Sequence, residues 1–312
     1  MHIDRLLCLL MIVCLLCAYQ SIEAQEPDSL NFSVLTGPYL GQEPPDTIPV
    51  LFAPGIISTD ECEYAISMTP DGKEIYFTRE MGPNRNRNIL VTRWEEDGWT
   101  KPEIASFSGR VGDFYPCVSP EGNQIYYNSF RPSKRTLETV CDIWFVERTD
   151  SGWSFPPIQM EKPFNPNKAF FISMTKDWTI YTTDLSKGFD STQIARSRWV
   201  DGGYSDYEII GSPISTFNRD RHPFIAPDES YIIFDSNRKR DVIANWMFIS
   251  FRLPDDSWSE PQPLGQLFKV KAKTTMGVVS PDGKYLFFKS GEDFYWVDAK
   301  ILDKLKPVEL RE

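Results

Sequence analysis

Four near-copies of one turn-and-strand unit recur along the chain. Thr69-Pro70-Asp71-Gly72 precedes Glu74-Ile75-Tyr76-Phe77, and Ser119-Pro120-Glu121-Gly122 precedes Gln124-Ile125-Tyr126-Tyr127. Ala226-Pro227-Asp228-Glu229 precedes Tyr231-Ile232-Ile233-Phe234, and Ser280-Pro281-Asp282-Gly283 precedes Tyr285-Leu286-Phe287-Phe288. Their prolines stand 50, 107 and 54 residues apart, and the 107-residue gap holds a degraded copy, Met174-Thr175-Lys176-Asp177 before Thr179-Ile180-Tyr181-Thr182. Five copies at about 53 residues each, made of short β-rich runs and Pro-Asp-Gly turns, are the period of propeller blades and not of helical solenoids.

Turn chemistry sets the order of strands within a copy. In the first, Tyr64 to Met68 reads as an inner strand, Pro70-Asp71-Gly72 reverses the chain, and Glu74 to Arg79 alternates into a second strand. Proline presets φ at the first central turn position, Asp bonds its own backbone, and Gly takes a positive φ without a Cβ clash. Asn88 to Trp94 supplies a third strand, and Gly98-Trp99 leads to an outer strand at Pro102 to Ala105. Trp99, Trp153 and Trp258 each stand three residues before a proline, with Tyr204 at the third copy's position, at spacings of 54, 51 and 54. Rings at a fixed period predict that each fills the same gap between blades, in preference to stacking on a ligand.

The two ends predict how the ring closes. Phe294 to Val297 gives the fifth copy a third strand with no outer strand after it, whereas Ile48-Pro49-Val50-Leu51-Phe52 precedes the first copy without a blade of its own. Pairing these segments removes exposed sheet edges. The expected fold is all-β: a five-bladed β-propeller of four-stranded blades over residues 46–300, with repeats near 62–110, 111–165, 166–218, 219–270 and 271–300, the last completed by 46–54. Residues 25–45 are expected as an extended N-terminal tail or cover, and 301–312 as a C-terminal tail with one helical turn near Ile301 to Leu305.

With 312 residues, 41% of them apolar, five small sheets can share one core. Residues 1–24 read as an export signal, with Arg5 ahead of a 14-residue apolar run from Leu6 to Tyr19 and Ile22-Glu23-Ala24 before the cleavage point. A run of that length is short for a membrane span, so no span is expected in the mature chain. An uncleaved anchor and lipidation at Cys17 are the competing readings, although Leu15-Leu16 lacks the small residue that usually precedes a lipidated cysteine. Cys8, Cys14 and Cys17 fall within the signal; the remaining Cys62, Cys117 and Cys141 are too few for a disulfide framework. A Cys62–Cys117 bridge between neighbouring blades and two buried thiols both fit the sequence. The net charge of −11 becomes −10 without the signal, a surface that repels phosphate backbones and argues against nucleic acid as a partner. A monomer is expected.

Because the strands of a blade run antiparallel, the segment leading into each inner strand and the loop between second and third strands emerge on one face. The Pro-Asp-Gly and Gly-Trp turns occupy the other. The loop face gathers Glu63, Asp113, Lys168, Arg221, His222 and Lys273 ahead of or within inner strands, and Arg79, Arg131, Asp184, Lys187, Arg238 and Glu292 from the interstrand loops. These loops are the longest and least regular, up to Phe130 to Cys141, and variation on a rigid scaffold is where binding usually resides. Glu63, Arg79, Asp113, Arg131, Arg221, His222 and Arg238 are therefore the candidate ligand-binding residues, against the alternative that such charges merely solvate a rim.

Catalytic material is sparse. His222 is the one histidine left after the signal, which leaves little for a histidine zinc site or a Ser-His-Asp triad. No nucleophile-elbow, dinucleotide or phosphate-loop motif occurs, and no cofactor or metal is expected. Glu63 and Asp113, at equivalent positions in adjacent blades, could face each other across the channel mouth as glycoside hydrolysis requires, a pair that any acidic propeller offers.

The Ser/Ala-Pro-Asp-Gly turns, the aliphatic-aromatic strands and a following Ser-x-Arg, as in Asn128-Ser129-Phe130-Arg131 and Asp235-Ser236-Asn237-Arg238, resemble the WD40-like (PD40) repeat of the TolB-like β-propeller family. Asp142-Ile143-Trp144-Phe145-Val146 matches that repeat's third strand, and the resemblance runs over residues 48–300. It implies an exported bacterial propeller of the periplasm or cell surface, from a group whose members mostly bind proteins or have no assigned activity, and implies no catalytic residue. Blade three departs by lacking Pro-Asp-Gly, blade four by Asn245-Trp246-Met247, and blade five by Ser290-Gly291-Glu292 where arginine is expected. Only the repeats match, so the partners of the Tol complex do not carry over.

The resulting expectation is a binding or interaction module that takes a protein or saccharide on its charged loop face. Charge reversal at Asp113 or Arg221 should then weaken binding while changing stability by about 0.5 kcal/mol at most, as at a surface. The alternative is a carbohydrate-active hydrolase with Glu63 and Asp113 as acid and base.

Overall fold

A computed structural model of the chain describes residues 35–96, 98–132, 141–216, 218–238, 246–268 and 272–311. The expected export signal, the start of the tail and most of the loop from Phe130 to Cys141 lie outside the described residues. Leu35–Glu312 is one folded unit, built of five antiparallel blades around a single axis.

Listed from the axis outward, blade 1 is Cys62–Met68, Glu74–Met81, Asn86–Glu95 and Glu103–Ile104, and blade 2 is Asp113–Val118, Gln124–Ser129, Asp142–Thr149 and Ile158–Gln159. Blade 3 is Ala169–Met174, Ile180–Asp184, Gln193–Ser197 and Glu208–Ile209, and blade 4 is Arg221–Ile225, Tyr231–Asp235, Met247–Phe251 and Gln262–Pro263. Blade 5 takes Thr274–Val279, Tyr285–Ser290 and Asp293–Asp298 from the C-terminal part and Val50–Leu51 from the N-terminal part. Val50 lies opposite Trp296 and Leu51 opposite Tyr295, which is the ring closure expected from the orphan strand. Phe52 packs behind this seam, its ring 4.9 Å from Phe287 and 5.2 Å from Trp296.

The repeated turns have the chemistry their residues dictate. In blade 1 Thr69 Oγ1 donates to Asp71 Oδ1 at 2.6 Å, Lys73 N donates to the same oxygen at 3.0 Å, and Gly72 N closes the turn on Thr69 O at 2.8 Å with φ +68°. Ser280, Asp282, Gly283 and Lys284 repeat this network in blade 5. Blades 3 and 4 place Trp178 and Glu229 at the left-handed position, with φ +62° and +59°. They keep the turn while carrying the strain that glycine avoids.

Central strands are buried on both faces because each blade is sandwiched between two others. The periodic aromatics fill these gaps: Trp153 of blade 2 donates from Nε1 to the Tyr76 hydroxyl of blade 1 at 3.0 Å, and Trp99 donates to Gly37 O at 2.8 Å. Residues 35–41 thereby lie across blades 1 and 5, with the Tyr39 ring 4.9 Å from Tyr285. The C-terminal turn Ala299–Leu305 buries Ile301 and Leu302 against blade 5. Cys62, Cys117 and Cys141 are free thiols; burial pushes Cys62 up to about 11 and Cys117 and Cys141 up to about 12, which keeps them as inert thiols near neutral pH. Among the described residues no helix is long and apolar enough to cross a membrane.

Candidate functional site

Every inner strand carries a β-bulge at the same place. The pairing register slips between Tyr64 and Ser67, Phe114 and Cys117, Phe170 and Ile172, Arg221 and Phe224, and Thr275 and Val278. At each slip one residue adopts the left-handed conformation: Ala65, Tyr115, Phe171, His222 and Met276, with φ between +50° and +63°. Such a conformation costs about 1–2 kcal/mol for a residue with a Cβ, and a bulge re-aims the side chain it carries. The freed amide is captured by the preceding blade. Tyr115 N donates to Thr78 Oγ1 (3.0 Å), Phe171 N to Asn128 Oδ1 (2.9 Å), His222 N to Thr183 Oγ1 (3.0 Å) and Met276 N to Asp235 Oδ1 (3.2 Å). These four acceptors share one register position, opposite the residue before the bulge.

Three of the bulged side chains meet at the axis. The rings of Tyr115, Phe171 and His222, from blades 2, 3 and 4, form a near-equilateral triangle with centroid separations of 5.4, 5.3 and 5.3 Å. This plug divides the channel. Toward the loop face, the Tyr115 hydroxyl lies 3.4 Å from His222 Nε2, and His222 Nδ1 lies 2.8 Å from Asp235 Oδ2. Asp235 is fully buried and fixes the ring with Nδ1–H donating to it, so Nε2 accepts from Tyr115. Burial lowers the His222 pKa below its ordinary value, Asp235 opposes this, and Arg221 and Lys273 add to it; the ring is neutral at pH 7.

On the turn side of the plug lies a cavity of about 290 Å³, with Ala65 and Phe171 at its inner end and Pro70, Pro120, Pro227 and Pro281 at its rim. Tyr115, His222 and Met276 do not line it. Its hydroxyls serve the fold: Ser67 accepts from Val118 N and Ser173 from Ile225 N, both at 3.0 Å, while Ser119 and Ser280 cap their own turns. What remains to a guest is a mostly apolar wall with Lys176 beside it.

Five of the seven candidate residues face inward instead of outward. Glu63 has no exposure and accepts from Arg79 Nε at 2.7 Å and from Thr59 Oγ1 at 2.5 Å, while Arg79 also donates to Ile56 O (2.9 Å) and Ile57 O (3.0 Å). Asp113, equally buried, lies 3.0 Å from Arg131 Nη1, and Arg131 Nη2 donates to Phe107 O at 2.5 Å. Arg238 repeats the arrangement with Asp220 at 2.9 Å and with the carbonyls of Pro213 and Ile214. In each case the arginine ties its own blade to the segment arriving from the previous one. Burial pushes the Glu63 and Asp113 carboxyls above the usual carboxylate range, against the pull of Thr59 and Arg79 on one and of Ser129 and Arg131 on the other. The contact surface expected at Glu63, Arg79, Asp113, Arg131 and Arg238 is thus a set of buried clamps, because a carboxylate is retained in the interior only with its cation. The same pairing takes Glu63 and Asp113 away from the acid-base roles considered for them.

Arg221 stands partly exposed at the mouth, whereas His222, next in the chain, is buried. Arg221 lies opposite Asp235 in the strand register, immediately before the bulge. Lys273 stands beside it with its Nζ 3.2 Å from the centre of the Trp246 ring, and burial followed by the positive charge of Arg221 lowers the Lys273 pKa. On the other side Arg87 covers Phe114 at 4.8 Å and pairs with Glu80 at 3.3 Å. Among the described residues no cluster of three His, Cys, Asp or Glu side chains is placed to hold a metal ion.

Asp220, Tyr115, Phe171 and Asp235 were not singled out from the sequence. The signal for Asp220 was present, because it precedes Arg238 by 18 residues as Asp113 precedes Arg131. The axial rings become visible only when the five copies are aligned on the bulge, a feature of pairing that no residue type marks.

No protein-family model and no curated protein matches the sequence. Among solved structures, the catalytic domain of a GH62 α-L-arabinofuranosidase from Coprinopsis cinerea superposes with a TM-score of 0.51 at 11% identity, over 80% of this chain and 97% of that one. TolB from Acinetobacter baumannii gives 0.48 at 13% identity over 77% of this chain, which spans 55% of TolB. An α-L-arabinofuranosidase from Lactobacillus brevis gives 0.49 at 13% identity, over 76% and 85%. At these identities the likeness to the Coprinopsis domain is one of fold alone, and the chemistry of the mouth has to come from this chain's own residues.

Proposed function

We propose that the protein is an exported β-propeller that acts as a binding module of the bacterial periplasm or cell surface, taking a protein or saccharide partner at the axial mouth of its loop face. The observation that carries this reading is the bulge-built plug. Left-handed bulge residues recur in all five blades, three of their side chains meet at the axis, and on the loop side Arg221 flanks the Tyr115 hydroxyl. The cavity on the turn side supports a ligand less well, since its hydroxyls are committed to the fold.

The hydrolase alternative finds no support in Glu63 and Asp113, both held in arginine clamps. The arabinofuranosidases named above lend the chain a fold and no activity. Export rests on residues 1–24 alone.

The test compares two charge-reversal variants against glycan arrays and envelope extract. Arg221→Glu with Lys273→Glu alters the mouth, whereas Lys284→Glu with Lys300→Glu alters the turn face. Loss of the partner only in the first variant is the expected result. Equal binding by wild type and the mouth variant would discard the assignment of the face.

A further inference from the structure

We propose that the mouth binds the oxyanion group of a small ligand, a carboxylate or a phosphate, held by Arg221 and Lys273 over the Tyr115–His222 pair. The inference rests on the loop face being the binding face and adds the chemistry of what it takes.

Charge accounting leads to it. The chain carries 44 acidic against 33 basic residues, and most of the described arginines find carboxylates, Arg110, Arg198 and Arg311 being exceptions besides Arg221. Arg79, Arg131 and Arg238 are clamped; Arg93 pairs with Glu103 and Glu74, Arg148 with Glu74, Arg196 with Glu208, and Arg252 with Glu229. Arg219 and Lys289, the next cations along the mouth, pair with Asp190 and Glu292. Arg221 and Lys273 have no ion pair among the described residues, although both are partly withdrawn from water. Asp235, the carboxylate nearest to them, is already shared between His222 Nδ1 and Met276 N. Two partly buried cations left without an ion pair, one of them seated over the Trp246 ring, create a local positive potential that attracts the opposite charge.

The rest of the mouth suits the same ligand. Arginine's planar fork matches a carboxylate or phosphate, and the Tyr115 hydroxyl can turn from His222 Nε2 toward an incoming oxygen. Blade 4 departs from its homologues in a consistent direction. Asp235 occupies the position of Thr78, Asn128 and Thr183, and Arg221 that of Tyr64, Phe114 and Phe170, so charged groups enter as a set where blades 1 to 3 have neutral or apolar residues, while blade 5 has Thr275 opposite Lys289.

The experiment uses the ¹⁵N-labelled full chain, in which His2 and His222 are the only histidines and a His222→Gln variant assigns their ring signals. D-galacturonate, inorganic phosphate and neutral D-galactose are titrated separately, with calorimetry in parallel. At least one anion is expected to bind and move the His222 signals while galactose does not, and the stronger anion identifies the group as carboxylate or phosphate. Arg221→Ala and Lys273→Ala are each expected to weaken binding about tenfold or more, the loss of a charge-assisted hydrogen bond. Arg221→Lys should fall between them and wild type, and added salt should weaken binding throughout. The proposal is overturned if neither anion binds by about 10 mM, if galactose binds equally, or if the double alanine variant binds as wild type does. Should the anions fail while the mouth charge-reversal variant still loses its partner, only the oxyanion is refuted. If that variant keeps its partner, the choice of face is refuted instead.

Discussion

Replacing Arg131 with alanine strands a carboxylate in the interior. Asp113 has no exposure and Arg131 is 12% exposed, so solvent screening cannot take over the cation's role. Arg131 also donates to the Tyr127 hydroxyl at 2.7 Å and to Phe107 O at 2.5 Å, so the segment joining blade 1 to blade 2 loses its anchor as well. Ser108, at 3.2 Å, Ser129 and the Gly109 backbone remain to serve Asp113, none of them a cation. Removing one partner of a buried pair costs about 3–5 kcal/mol, whereas an exposed pair is worth about 0.2–1 kcal/mol. Urea unfolding followed by tryptophan fluorescence gives the difference as a lower midpoint at unchanged slope. Lys306→Ala is the control, since Lys306 and Asp303 pair at 2.7 Å with 41% and 57% of their side chains exposed. Asp113→Asn combined with Arg131→Ala should cost less than the two single changes added together, because no bare charge is left behind. A loss below about 1 kcal/mol for Arg131→Ala, or strict additivity in the double variant, would refute the clamp. The same logic moves Asp113→Lys from the surface-sized change expected on sequence grounds to one of several kcal/mol.

Three other outcomes are expected. His222 resists protonation when folded, so the unfolded chain binds the extra proton and stability falls as pH drops below about 6.5; the His222→Gln variant, compared with wild type between pH 8 and pH 5.5, should lose this part of the slope, and a constant stability difference would contradict it. Thr78→Val leaves the bulged Tyr115 amide without its acceptor and should cost about 1–3 kcal/mol, visible as faster hydrogen exchange at Tyr115; unchanged protection there would count against the ring of interblade acceptors. Trp296→Ala empties the seam behind the closing strand and should cost about 3–5 kcal/mol, with Val50 and Leu51 exchanging fastest among the blade strands; retained protection at those amides would show that the seam does not depend on this ring.

Much of the architecture was legible because turn and strand chemistry is local. Pro70-Asp71-Gly72 and its copies bend the chain wherever they occur, the alternating runs after them have to become strands, and an orphan strand at Val50–Leu51 has to pair with the blade that lacks one. The same local view misjudged the site. Glu63, Asp113 and Arg131 read as surface charges because composition says nothing about what arrives from the preceding blade, and only packing turns the Ser-x-Arg arginine inward onto carbonyls such as Phe107 O and Ile214 O. The axial plug was invisible for a related reason. A bulge is a slip in register between two strands, set by how blades twist around a common axis, so the meeting of Tyr115, Phe171 and His222 depends on pairing across residues 50 or more positions apart. Sequence alone determined the repeat, the number of blades and the closure of the ring. Tertiary structure decided which charges are clamps and which remain unpaired at the mouth, because burial and the identity of a nearest neighbour are properties of the closed ring and of no single blade.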